Sequence, residues 1–277
     1  LFDETHSIAA TDRKRGYIQY GLQWQTVGYK EHVLYYGSEP VIYYQLTTDR
    51  TGRSIQVVPD GCVDLLFCCD PLRPSALVCG TVLEGEQIVL QPNAVYFGVR
   101  LSYRLSLLLP GLPPKEIVNV QAPIEDALSQ YSDLSSKLAL CEGLPQRIIL
   151  FEQEGLQLLS GSVRDSGIVG YCMTSMHRSG GAVTVRELAA ETGYSERYLR
   201  MKFEHTLGFS PKLYNRIVRF QRALENVVRS ANPLSDVAAD GGYFDQAHFM
   251  KDFKSFSQMT PSQIRAMISR SASSENK

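Results

Sequence analysis

The 277-residue sequence has no apolar run long enough for a membrane span; its longest apolar patch, around Leu105 to Leu109, is far too short. Leu1 to Ala10 mix acidic and polar side chains and lack the basic-then-apolar order of a secretory leader, so a cytoplasmic protein with no membrane partner is expected. The six cysteines, at positions 62, 68, 69, 79, 141 and 172, include no CxxC pair, which argues against a zinc ribbon. Cys68 and Cys69 are adjacent, so on a strand they point to opposite faces and are badly placed to share a metal; reduced core thiols are the better reading. No GxSxG, P-loop or strand-to-helix GxGxxG phrase occurs. The first 120 residues hold only His6 and His32, without the HxH pattern a catalytic metal barrel would use. No catalytic residue, metal or cofactor is therefore expected, and the chain is not read as an enzyme.

Overall charge is nearly absent too, at −1, but it is unevenly spread. Residues 181–277 carry 14 Lys and Arg against 10 Asp and Glu, whereas the preceding 180 carry 14 against 19. A mildly basic segment behind an acidic one suggests that only the C-terminal part meets a polyanion. The first 120 residues read as short strands rich in β-branched and aromatic residues: 33–36, 41–44, 55–58, 63–69, 76–78, 87–90, 95–99 and 103–109. Turn formers such as Gly37-Ser38-Glu39-Pro40 and Pro59-Asp60-Gly61 separate them. The period then becomes helical, over Ile124 to Leu140 and Pro145 to Leu159, and Gly161 to Gly167 is a plausible hinge. The expected fold class is α+β and multidomain. An N-terminal antiparallel β-barrel or sandwich, cupin-like, is followed by a helical pair and a C-terminal all-α domain.

A diverged internal repeat occupies the C-terminal third. Ala189 and Ala238, and Gly193 and Gly242, are offset by 49; Leu199 and Phe249, Phe203 and Phe253, and Pro211 and Pro261 are offset by 50. The second copy therefore holds one extra residue just after its glycine, in a turn. Each copy reads helix, turn, helix. Thr184 with Glu187 forms a capping box, Gly193 ends the first helix, and Ser195 caps the next, Glu196 to about Thr206. In the second copy Pro233 suits a first helical turn, Gly242 stops that helix, and Asp245 caps its successor. Ser210 and Pro211 begin a connecting helix to about Arg229. On the second helix of copy one, Leu199 and Phe203 face inward while Arg197, Arg200, Met201 and Glu204 form an outer stripe. In copy two Phe249, Phe253 and Phe256 go inward, and Gln246, Ala247, Met250 and Lys251 outward. Arginine can grip a guanine edge and glutamine an adenine edge, so both stripes suit the major groove of double-stranded DNA.

This pattern closely resembles the DNA-binding domain of the AraC/XylS family of bacterial transcription regulators. The matching residues are Leu188-Ala189, Gly193-Tyr194-Ser195, Tyr198-Leu199, Phe203, Gly208-Phe209-Ser210-Pro211, Arg219, Ala223, Val237-Ala238, Gly242-Tyr243, Phe249, Phe253-Lys254 and Thr260-Pro261. The resemblance covers about a third of the chain. It implies base contacts from Arg197, Arg200 and Met201 in the first unit and from Gln246, Ala247, His248 and Lys251 in the second. Arg186, Ser195, Lys202, Lys212, Arg216 and Lys254 are the expected phosphate contacts. Gln258 stands where the family usually has glycine, and Met201 at a position often polar. Val58 to Phe67 also resembles the opening motif of one subgroup's β-rich sensor domain, which implies a small-molecule effector, dimerisation or both. Trp24, Tyr35, Tyr43 and Asp64 are the candidate ligand residues.

The expected layout is a β-rich sensor or regulatory domain over residues 1–120 and a helical linker or dimerisation segment over 121–161. An AraC-type DNA-binding domain follows over 162–270, then a disordered tail over 271–277. The expected function is sequence-specific transcription regulation, as an activator. The expected partners are double-stranded DNA, a small-molecule effector, RNA polymerase and a second copy in a homodimer. The alternative is a ligand-binding or scaffold protein whose DNA domain no longer functions.

Overall fold

The computed structural model describes residues 17–37, 39–51, 54–109, 111–128, 132–155 and 167–274. The Leu1 to Ala10 segment, His6 and most of the Gly161 to Gly167 hinge lie outside them. A short helix α1 (Tyr20–Trp24) precedes strands β1 (Val27–Tyr36), β2 (Glu39–Thr47), β3 (Ser54–Val57), β4 (Cys62–Cys68), β5 (Ser75–Cys79), β6 (Glu86–Val89) and β7 (Val95–Ser102). Helix α2 (Tyr103–Ser106), strand β8 (Gln121–Pro123) and helices α3 (Ile124–Ala127), α4 (Ser132–Ala139) and α5 (Gly143–Leu150) complete the N-terminal part. No described helix is long and apolar enough to cross a membrane.

The cupin-like barrel expected from the strand pattern does not form. Six strands make an open sheet in the order β1-β2-β7-β4-β5-β8, and β3 and β6 pair only with each other. Two causes are visible. The apolar run Tyr103 to Leu109 is not a strand: the Ser102 hydroxyl accepts the Leu105 backbone N–H and starts α2 instead. One face of the sheet is also filled by helices, so it has no need to curl onto itself. On that face Tyr43, Val63, Leu65, Phe67, Phe97 and Val99 pack with Leu105, Leu128, Leu134, Leu138 and Phe151. On the other face Tyr44, Leu66, Cys68 and Tyr96 pack with Ile55 and Ile88 of the β3–β6 ribbon. The two sets alternate along each strand, as the period of two requires. The result is a mixed α+β N-terminal region.

Gly98 on β7 lies between Tyr44 and Leu66 in register. A Cβ there would sit 2.0 Å from the Tyr44 ring. Gly98→Ala is accordingly expected to lower stability by about 1–3 kcal/mol through overpacking. Urea unfolding of the variant checks it; an unchanged midpoint would show that the Tyr44 ring moves aside at no cost.

The C-terminal part is all helical: α6 (Gly167–Arg178), α7 (Val185–Thr192), α8 (Glu196–Leu207), α9 (Pro211–Arg229), α10 (Leu234–Asp240), α11 (Gln246–Ser257) and α12 (Pro261–Ser274). Its core is continuous with N-terminal residues. Ile18, Tyr20, Val58 and Tyr103 join one apolar cluster with Phe203, Phe209, Tyr214, Phe220 and Phe256.

Candidate nucleic-acid interface

The local signals that bound the two helix pairs act as the sequence implies. Thr184 accepts the Glu187 backbone N–H while Glu187 accepts that of Thr184, closing the capping box at the start of α7. These bonds favour the charged carboxylate and hold Glu187 below the usual carboxyl range. Gly193 ends α7 at φ 71°, and Ser195 caps α8 by accepting the Tyr198 N–H. Ser210 caps α9, with Pro211 as its first residue. In the second unit Pro233 is the residue before α10, Gly242 turns the chain at φ 68°, and Asp245 caps α11 through the His248 N–H. Gln258 follows α11 with φ 60°. That left-handed conformation explains why glycine suits the position better.

The second helix of each unit, α8 or α11, splits into two faces. Leu199, Phe203 and Leu207 of α8 are buried, as are Phe249, Phe253 and Phe256 of α11. Arg197, Arg200 and Met201 are exposed on α8, and Gln246, Ala247, His248 and Lys251 on α11. Arg200 is 3.6 Å from Glu204, an exposed pair of little energetic consequence.

Among the expected phosphate residues, Arg186, Lys212 and Lys254 are exposed. Lys202 is half-buried, its ammonium 5.4 Å from the centre of the Tyr198 ring. Arg216 is half-buried, its side chain 39% exposed: its Nε lies 3.1 Å from the buried Asp252 carboxylate, and its guanidinium lies over the Phe256 ring at 4.9 Å. It ties α9 to α11. The sequence shows both charges but not that they meet.

The four candidate ligand residues are not brought together. Trp24 packs against the C-terminal core, and Tyr35 is exposed on the edge strand β1. Tyr43 is buried on the helix-covered face, where its hydroxyl donates to Glu152. Asp64 faces the other side and receives Nε and Nη2 of Arg100, both at 3.0 Å. Asp60 also lies 3.4 Å from Arg100, so two carboxylates share one buried guanidinium. Burial, with Asp60 adding to it, outweighs the attraction of Arg100 and pushes Asp64 up to about 6. A cavity beside this trio is lined by Gln19, Tyr44, Asp60, Cys62, Asp64 and Glu86, among others. Its aromatic wall is Tyr44, one residue away from the tyrosine the sequence suggested. Among the described residues, no group of three or more His, Cys, Asp or Glu is placed to hold a metal ion.

Residues far away in sequence grip the two units. The Tyr20 hydroxyl donates to the Ser257 carbonyl at the end of α11 (2.6 Å), and that of Tyr103 to the Thr206 carbonyl near the end of α8 (3.3 Å). Gln221, on α9, accepts the Ile18 N–H at 2.8 Å and donates to the Pro59 carbonyl at 2.7 Å.

Two capped helix pairs on a connecting rod define a doubled helix-turn-helix region. A family model described as a helix-turn-helix domain matches residues 188–267. The match lies wholly within the helical region that follows the β-rich N-terminal part. An uncharacterized HTH-type transcriptional regulator of Staphylococcus aureus is 30% identical over 94 residues, which is 34% of this chain and 12% of that protein. One of Haemophilus influenzae is 36% identical over 67 residues, 24% of this chain and 22% of its own length. The chain thus spans only a small part of these curated relatives. Among solved structures, the C-terminal domain of AraT, a response regulator from Geobacillus stearothermophilus, is 27% identical. It covers 37% of this chain and 87% of its own, with a TM-score of 0.35. Apo ToxT from Vibrio cholerae, in a variant form, is 13% identical over 84% of this chain and 98% of its own, with a TM-score of 0.48.

Proposed function

We propose that this chain regulates transcription by binding specific sequences in double-stranded DNA, and that it acts as an activator in the cytoplasm. The observation that carries the reading is the pair of exposed stripes, Arg197-Arg200-Met201 on α8 and Gln246-Ala247-His248-Lys251 on α11, each at the start of a buried-faced helix. The 19 residues of α9 make a rod of about 28 Å, close to the roughly 34 Å of one DNA turn. Arg197 and Arg200 read base edges; Arg186, Ser195, Lys212 and Lys254 set the position on phosphates, with Lys202 beside them. Arg216, 39% exposed, contacts phosphate with them while it holds α11 to α9.

The reading unit spans residues 162–270 and the sensor 1–120, with 121–161 as the segment through which two copies dimerise. A small effector enters the cavity beside Asp64, and the bound dimer contacts RNA polymerase. What supports the effector is a cavity whose wall carries Asp60, Asp64 and Glu86 beside apolar side chains such as Leu22, Leu66 and Ile88.

Selection of duplexes from a randomised pool tests this reading. A single preferred sequence is expected, with affinity falling steeply as salt rises. Arg197→Ala and Arg200→Ala are each expected to cost about tenfold and to relax preference at one position. Weak binding without preference, unaffected by either substitution, would remove the reading and favour a scaffold whose helix-turn-helix units no longer read DNA.

A further inference from the structure

Phe244 is 93% exposed, the most exposed large apolar side chain among the described residues. It sits in the turn between α10 and α11, directly before the capping residue Asp245. In the alignment of the two repeats the second copy has one residue more than the first at this turn. After Tyr194 and Tyr243 are matched, the residue left over is Phe244.

An apolar residue just before a helix cap ordinarily packs against the fourth residue of the helix and fixes the entry angle of the chain. That fourth residue is Phe249, and it already has such a partner. Tyr243 packs edge-on against it at 5.3 Å and is buried. The same turn in the first unit carries Tyr194 stacked on Tyr198 at 4.7 Å, with no further aromatic. Phe244 therefore contributes nothing visible to folding, and it stands exposed two residues before Gln246, the first residue of α11. In helix-turn-helix proteins the residues at that end of the second helix approach base edges. A phenyl ring makes no strong hydrogen bond to phosphate, and the distinct apolar group the major groove offers it is the 5-methyl of thymine.

Resting on the DNA-reading function proposed above, we infer that Phe244 is a specificity-determining residue of the second unit, which selects thymine by contact with its methyl group. The first unit has no counterpart, so the two units read by different chemistry: charged side chains in the first, an apolar ring beside glutamine in the second.

The test uses the full chain and its Phe244→Ala variant in selection from randomised duplexes. Wild type is expected to enrich thymine at one position of the second unit's half-site. The variant is expected to lose that enrichment and to bind the selected sequence about tenfold more weakly, with an unchanged melting temperature. Replacing that thymine by uracil, which lacks the methyl, should weaken wild type and leave the variant unaffected. Identical preferences for the two proteins overturn the inference. So does a uniform loss across all sequences, which marks a backbone contact. DNA-free oligomers that Phe244→Ala dissolves overturn it as well, because they mark a protein contact. If wild type selects no duplex at all, the proposed function itself falls. If it selects a sequence that the variant selects equally, only the role of Phe244 does.

Discussion

Arg100→Met is expected to destabilise the protein by about 3–5 kcal/mol at neutral pH, because it leaves the buried Asp60 and the half-buried Asp64 carboxylates without their cation. Arg100 is 1% exposed, and Asp60 and Asp64 both turn toward it. Asp60 keeps other donors, the Cys62 N–H at 2.8 Å and the Gln19 amide at 2.9 Å, whereas among the described residues the side-chain hydrogen bonds to the Asp64 carboxylate come from Arg100. Urea unfolding at pH 7 measures the loss. A midpoint within error of wild type would mean that water reaches and solvates the carboxylates.

The same trio gives stability a pH dependence of defined sign. Asp64 is raised from 3.8 to about 6, so the folded protein takes up this proton at a higher pH than the unfolded chain. Its contribution is fully present below the unfolded value and is lost as pH rises through about 6. Wild type should therefore gain stability relative to Asp64→Asn as pH falls from about 7 to 4. The gain is on the order of 1 kcal/mol per unit within that window. A difference that stays flat, or falls, across the window would contradict this account.

Gln221→Leu is expected to cost about 3 kcal/mol or more and to uncouple the N-terminal region from the helix-turn-helix units. The side chain is 1% exposed and satisfies the Ile18 N–H, the Ile18 carbonyl at 3.3 Å and the Pro59 carbonyl at 2.7 Å. Leucine fills the space but leaves three buried backbone groups unpaired, each worth about 1–3 kcal/mol. The chain has a single tryptophan, Trp24, which packs on the C-terminal core while its carbonyl accepts the Ser271 hydroxyl at 3.2 Å. Its fluorescence should therefore change before the far-ultraviolet circular dichroism in the variant, and together with it in wild type. Coincident transitions at an unchanged midpoint would show that Tyr20 and Tyr103 hold the regions together unaided.

Legibility followed the distance over which each feature is determined. The capping box at Thr184, the turn at Gly193, the caps at Ser195 and Asp245 and the start of α9 at Pro211 each depend on residues within four positions. Spacing alone locates them, along with the buried and exposed faces of α8 and α11. Seven of the eight expected strands also form, since alternation is local. The eighth, 103–109, misleads because apolar residues suit a strand or a helix equally, and Ser102 decides between them. Strand β8 is only three residues long, and its pairing with β5 is what defines it.

The sequence by itself thus determined two helix-turn-helix units, their caps and the side chains they expose, because short-range hydrogen bonding and helical period settle those. Tertiary structure alone decided that the sheet stays open, that Arg216 pairs with Asp252, that Phe244 is left uncovered, and that Asp60 and Asp64 share Arg100. It also decided that residues 18–20 reach α9 and α11. The pairings of Arg100, of Arg216 and of residues 18–20 join positions 36 to 237 apart, whose partners are chosen by shape and burial and leave no periodic trace along the chain.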